Sequence, residues 1–402
     1  MMNQDSKKAP VLRFKGFSDD WEQRKLGEVA TFHNGDRGRN YPQESELVKI
    51  GIPFINAGDL INGKIDTNNC KKITPDKFNS LRGAKLKIGD IVYCLRGTLG
   101  KNAINLDVSI GTIASSLVLI RPVKINNHYL FQILNSDVGN KQILKFDEGA
   151  VQPNLSVKNL RKFVIPYASK LEQDKIAKLM SLISENLTLQ QRKLEQIDSL
   201  KNTVVATLFE NKKTWSKVNL KDISEISSGA NVDSRHSKGS FKITRIETIS
   251  SGVLNEEKLG YTNEKIDNKY LLKKGDILFS NINSLKHIGK TALATSCEDI
   301  YQGMNLLRIR PNIQKVDPTY LFTFLNLPET LAWSQRFANP AVNQASINKT
   351  QVSKMPIYLP SLAEQIEIKN IVTKIDSYIY NLNKNIQNLK QTKNFLLQNM
   401  FI

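Results

Sequence analysis

The sequence predicts an α+β protein built from two duplicated, strand-rich domains, with a long helix between them and a second after the latter. Three observations predict it: an internal repeat, two sustained 4-3 apolar seams, and a basic excess shared by both copies. At 402 residues the chain exceeds one ordinary core and suits two domains of roughly 150 residues with connecting structure. Its 57 Lys and Arg against 38 Asp and Glu give a net charge of +19, which calls for a polyanionic partner. The opening residues Met1 to Lys8 contain no apolar signal region, and no window approaches the ~20 apolar residues of a spanning helix. A soluble, unexported chain is expected. Three cysteines, Cys70, Cys94 and Cys297, without a C-x-x-C pair, make neither a disulfide framework nor a zinc site and fit a reducing cytoplasm.

The repeat begins at Trp21-Glu22-Gln23-Arg24-Lys25-Leu26-Gly27-Glu28-Val29, which returns as Trp215-Ser216-Lys217-Val218-Asn219-Leu220-Lys221-Asp222-Ile223. Leu86-Lys87-Ile88-Gly89-Asp90-Ile91 returns as Leu272-Lys273-Lys274-Gly275-Asp276-Ile277, and Leu99-Gly100-Lys101 as Ile288-Gly289-Lys290. Leu119-Ile120-Arg121-Pro122 matches Arg308-Ile309-Arg310-Pro311, and Tyr129 to Asn135 matches Tyr320 to Asn326. The offsets stay between 186 and 194, so the unit is far longer than a solenoid repeat. The organisation is an N-terminal segment 1–20, a domain 21–168, a long helix 170–212, a domain 213–360 and a long helix 362–402.

Within each copy, Asp90 to Leu95 and Ser115 to Ile120 read as strands bounded by turn residues, and a short helix is expected from Tyr129 to Asn135. Gly and Pro then vanish and the period turns helical. The first seam is Ile176, Met180, Ile183, Leu187, Gln190, Leu194, Ile197, Lys201, Val204 and Leu208. The second is Ile368, Val372, Ile375, Ile379, Leu382, Ile386, Leu389, Lys393, Leu396 and Met400. Such a seam predicts coiled-coil pairing; the alternative, two helices each packed on its own domain, is disfavoured by their equal lengths. At 1.5 Å per residue each helix spans roughly 60 Å. Lys201 and Lys393 occupy matching seam positions and are expected to snorkel outward, toward a partner or a globular domain.

Enzyme motifs fail one by one. Gly97-Thr98-Leu99-Gly100-Lys101-Asn102 lacks the hydroxyl of a phosphate loop and has Leu95 where its first glycine belongs. Asp317-Pro318-Thr319-Tyr320 resembles an adenine-methyltransferase motif, but its mate Asn126-Asn127-His128-Tyr129 argues for a helix N-terminus. His33, His128, His236 and His287 lack metal-ligand spacing. No catalysis, metal or cofactor is expected of this chain. Residues 21–168 carry +8 and residues 215–360 carry +6, so both domains suit double-stranded DNA. Charge alone also permits RNA, although 7% aromatic residues form no interleaved stacking platform.

Base readout needs Arg, Asn or Gln on loops, and phosphate contact needs only Lys or main-chain amides. In the first copy the candidates are Asn34, Arg37, Arg39, Arg96, Lys101, Gln152 and Asn154. In the second they are Arg235, His236, Asn281, Asn283, Lys286, Asn343 and Gln344. The competing explanation is that these Asn, Gly and Ser segments only make turns.

The opening Val11-Leu12-Arg13-Phe14-Lys15-Gly16-Phe17-Ser18-Asp19-Asp20-Trp21, the Gly-Asp-Ile pair, Ile165-Pro166 with Leu171-Glu172-Gln173, and Leu359-Pro360 with Ala363-Glu364-Gln365 resemble type I restriction-modification specificity subunits over the whole chain. The resemblance implies two target-recognition domains, each reading half of a bipartite asymmetric site, and two long helices paired antiparallel as a coiled coil. It further implies two modification subunits carrying S-adenosylmethionine and adenine methylation, and two restriction subunits using ATP and Mg. An orphan DNA-binding or coiled-coil scaffold protein is the alternative.

Overall fold

The computed structural model describes residues 9–149, 153–249, 252–341 and 344–401. Two compact units emerge, one of residues 1–192 with 383–402, the other of residues 193–382.

In the first unit, strands Ala30–Asn34, Leu117–Pro122, Ile91–Cys94 and Asn102–Ile104 form an antiparallel sheet in that order. Both faces of the two central strands are buried, which explains why Ile91–Cys94 and Leu117 to Ile120 read as continuous apolar runs. Because side chains alternate along a strand, Ile91, Tyr93, Val118 and Ile120 enter one core, and Val92, Cys94, Leu117 and Leu119 enter another. The second sheet, which the sequence did not announce, orders Thr112–Ile113, Ile52–Ile55, Lys71–Ile73 and Leu47–Val48. The second unit repeats the plan: Ser224–Ser228, Leu306–Pro311, Ile277–Ser280 and Thr291–Leu293 form its main sheet.

The repeated motifs are the turns and ties of this scaffold. Gly89 at φ +90 and Gly275 at φ +94 sit at the turn position that needs a left-handed residue. The next residue, Asp90 or Asp276, is 1% exposed and takes a bidentate ion pair from Arg121 (2.8 Å twice) or Arg310 (2.7 Å twice). The glutamines of the Glu-Gln signatures have a matching cause. Gln173 Nε2 donates to Ala168 O at 2.8 Å and Gln365 Nε2 to Pro360 O at 3.0 Å, while their Oε1 atoms accept from the main chain of Asn126 and Asp317.

The short helix runs Asn127–Leu134, capped by Asn126, and its counterpart Pro318–Leu325 is capped by Asp317, whose carboxylate accepts from Thr319 N and Tyr320 N. The long helices run Lys170–Leu208 and Leu362–Asn399. The first stops four residues short of 212, because Phe209 turns into the core and stacks on Tyr320 at 5.6 Å. Phe401 meets Tyr129 in the first unit in the same way, at 5.7 Å.

Helix pairing is antiparallel within each unit. In the first, Ile176 and Met180 near the start of one helix share a core with Leu396 and Met400 at the end of the other, and Leu12 N donates to Asn399 O at 2.8 Å. In the second, Ile368 and Val372 from the start of the later helix pack with Val205 and Phe209. Ile183, Leu187, Ile375 and Ile379 are half-buried. Lys201 corrects the outward expectation: its ammonium pairs with Asp376 of the facing helix, because a carboxylate one seam turn away is nearer than solvent for a half-buried stem. No described helix is long and apolar enough to cross a membrane.

Candidate nucleic-acid interface

Three polar segments of the first unit, far apart in sequence, meet at one edge of the main sheet. Strand Ala30–Asn34 ends at Gly35, where a Cβ would lie 2.5 Å from Ile113 O; only glycine lets the chain pass there. Asp36 then accepts from the main-chain N–H groups of Arg82 (3.2 Å) and Gly83 (2.6 Å), which fixes the turn before Arg37. From the far side, Arg96 bridges Asn154: the two pair as isolated β partners, and Arg96 Nε donates to Asn154 Oδ1 at 3.3 Å. The result is a cleft of about 440 Å³ lined by Asn34, Arg37, Arg96, Asn154 and Ser156.

Electrostatics hold this edge in order. Asp147 accepts from Asn154 N at 3.0 Å and Gly149 N at 2.9 Å, and these two bonds hold its carboxyl below the usual carboxylate range. Burial and the charge of Arg121 push the His33 imidazole down, which favours its uncharged form beside Arg121. Arg39 lies exposed in the turn Gly38–Asn40. Lys101 does not join the cleft; its ammonium donates to Ala57 O at 2.7 Å and braces a neighbouring loop. Gln152 falls outside the described residues.

In the second unit the candidates divide into two groups. Arg235 is tied to Asp233 by two bonds of 3.0 and 2.9 Å and remains 86% exposed at its side chain, and the pair holds the Asp233 carboxyl far below its usual range. They line a cleft of about 560 Å³ with Asn231, Arg245, Glu264 and Asn305. His236 is exposed and bridges Tyr261. Separately, Ile282–Asn283, Gln344–Ser346 and Asn339–Ala341 form a small sheet. On it Gln344 is exposed, whereas Asn283 is occupied by Ser280 Oγ (3.2 Å) and Ser284 N (2.8 Å). Lys286 is exposed on the adjoining turn, and Asn343 lies outside the described residues.

Main-chain bonds fix how Asn281 pairs with the first copy. Its carbonyl accepts from Ile347 N at 2.9 Å just as Leu95 O accepts from Leu155 N at 2.9 Å, so Asn281 matches Leu95 and the counterpart of Arg96 is Ile282. Its Oδ1 is buried without a partner. Asn231, two residues after Gly229, matches Arg37 after Gly35; like Arg245 and Asn305, it lines the cleft of the second unit without standing among the sequence candidates. The close-approach glycines would have found it, since a Cβ at Gly229 would lie 2.0 Å from Gly303 O.

Tandem α+β units on one hydrogen-bond scaffold, each followed by a long helix and differing in their edge loops, define a duplicated specificity-domain architecture. The chain belongs to the family of the type I restriction modification DNA specificity domain, whose model matches residues 18–199 and 212–391. A putative type I restriction enzyme MjaX specificity subunit from Methanocaldococcus jannaschii is 39% identical over 209 residues, 51% of this chain and 48% of that protein. The chain thus matches about half the length of that relative. The type I restriction enzyme EcoKI specificity subunit of Escherichia coli is 22% identical over 93% of this chain and 87% of its own. The type I restriction-modification S subunit from M. genitalium shares the fold, with a TM-score of 0.66 at 15% identity over 98% of this chain and 99% of that one. Among the described residues no cluster of His, Cys, Asp or Glu is placed to hold a metal ion.

Proposed function

We propose that the chain is the sequence-reading subunit of a type I restriction-modification complex, each domain (21–168 and 213–360) reading one half of a bipartite asymmetric site in double-stranded DNA. The helices set the unread gap and dock two modification subunits, which bring S-adenosylmethionine; two restriction subunits bring ATP and Mg. The chain itself performs no catalysis and works in the cytoplasm. The observation that carries this reading is the convergence of Asn34, Arg37, Arg96 and Asn154 on one cleft, since forked and amide donors gathered at a sheet edge suit base edges.

Adding one heptad after Gln190 and one after Leu382 tests it. Both seams stay in phase and the spacer grows by roughly 10 Å, about three base pairs at 3.4 Å each. Mapping methylated adenines in cells that hold the variant and its modification subunit should show a wider gap between unchanged half-sites. An unchanged gap, or altered half-sites, overturns the ruler.

A further inference from the structure

In the first unit a second cleft, of about 550 Å³, opens between the short helix Asn127–Leu134 and the long helices. Its floor is a carboxamide: Gln132 is 2% exposed, and its Oε1 has no hydrogen-bond partner. Its rim holds Lys64, Lys390 and Lys393 against one acid, Glu185. Lys393 makes no ion pair among the described residues, and burial lowers its pKa. Phe131, Leu187 and Leu397 supply apolar walls.

The second unit has the equivalent cleft, of about 730 Å³, and there the same positions satisfy themselves. Lys201, the counterpart of Lys393, pairs with Asp376, whose place in the first unit is taken by Ser184. Lys212 pairs with Glu329 at 2.6 Å. Thr323, the counterpart of Gln132, donates to Thr319 O of its own helix at 2.8 Å. A buried polar atom left without a partner is destabilising. Thr at 323 avoids that cost; Gln at 132 does not.

The geometry points to an occupant that this chain does not supply: we propose that the cleft receives an extended peptide segment of a protein partner, with an acidic side chain on Lys393 and an apolar one against Leu187 and Leu397. Gln132 Oε1 needs a donor. Phosphates offer acceptors only, whereas a peptide main chain offers an N–H at every residue. The three lysines select an acid over a base. The inference goes beyond the DNA-reading role and stands without it.

The test uses the full chain and a fluorescein-labelled, end-blocked octapeptide of alternating Glu and Leu, read by anisotropy. Binding is expected, and replacing Glu by Gln in the peptide should weaken it at least tenfold. Lys393→Met and Gln132→Leu should each weaken binding about tenfold while melting at or above the parent temperature, and Lys201→Met should leave it unchanged. No binding, equal binding to Lys393→Met, or displacement by a short DNA duplex at equal charge each overturns the proposal, the last in favour of nucleic acid.

Discussion

In the first unit the long helix starts on a buried carboxylate; in the second its equivalent starts on an exposed one. Glu172 is 0% exposed and accepts from Arg13 Nε (2.7 Å), Arg13 Nη2 (2.9 Å) and Trp21 Nε1 (2.9 Å). Glu364, at the same place in the repeat, lies at the surface and caps Ser361 N at 3.0 Å. One residue type, in one motif, thus ties three segments together in one copy and caps a helix in the other. The difference lies in the segment ahead of each tryptophan, which offers Arg13 in the first copy and only the turn Lys212–Thr214 in the second. Duplication preserved the scaffold and let the attachments diverge.

The largest effect should come from that asymmetry. Glu172→Ala leaves the part-buried Arg13 guanidinium and the buried Trp21 N–H without their acceptor, at about 3 kcal/mol, whereas Glu364→Ala removes one cap, at about 1 kcal/mol. Urea unfolding of the intact chain, followed by hydrogen exchange in each unit separately, checks it. Equal losses would abolish the distinction. The shared scaffold gives the internal control: Arg121→Ala and Arg310→Ala each leave a buried aspartate uncompensated and should cost alike, about 3 kcal/mol.

The reading edges come next. Arg96→Ala should weaken binding to the half-site of the first unit by about 1–3 kcal/mol if it pairs with guanine. Ile282→Ala, at the matching position of the second, should do almost nothing. Equal loss on specific and random duplex would demote Arg96 to a phosphate contact.

Much of this contrast could be read in advance where a single physical constraint acts on a single residue. The left-handed turn at Gly89 and Gly275, the buried aspartates and the 4-3 seams all leave local signatures. The second sheet of the first unit does not, because strands such as Leu47–Val48 and Thr112–Ile113 are two residues long and owe their pairing to distant chain. The site was legible in part for the same reason. Arg96 and Asn154 were found as polar loop residues, but that they touch depends on a bridge across 58 positions. Lys101 and Asn283 have equally suitable chemistry and are consumed by Ala57 and by a local turn. Nothing in composition separates a free donor from an occupied one.

A smaller effect is expected of the seam pair. Lys201→Met removes a part-exposed ion pair with Asp376 and should change stability by no more than about 1 kcal/mol. Lys393→Met in the first unit has no such pair to lose and should be neutral or stabilising. Thermal melts of the two variants in low and high salt check this: salt should shift the parent toward Lys201→Met and leave the Lys393→Met difference unchanged.

The smallest effect separates the two edges by pH. Asp147 holds the loop that presents Asn154 to Arg96, and its carboxyl titrates below the usual 3.8 because the Asn154 and Gly149 N–H groups favour the charged form. A group whose pKa falls on folding contributes order that is complete above its unfolded value and is lost as pH drops through the folded one. The loop should therefore be indifferent to pH between 7 and 5 and loosen only below the ordinary carboxylate range. The corresponding edge of the second unit is held instead by main-chain pairing of Asn339–Ala341 with Gln344–Ser346, which contains no titrating group. Protection factors of the Asn154 and Ser346 amides, corrected for intrinsic exchange, distinguish the cases. Acid should release the first and spare the second, and Asp147→Asn should reproduce the release at neutral pH. Concerted loosening of both amides would mean that acid acts through the fold as a whole and that Asp147 is no clamp.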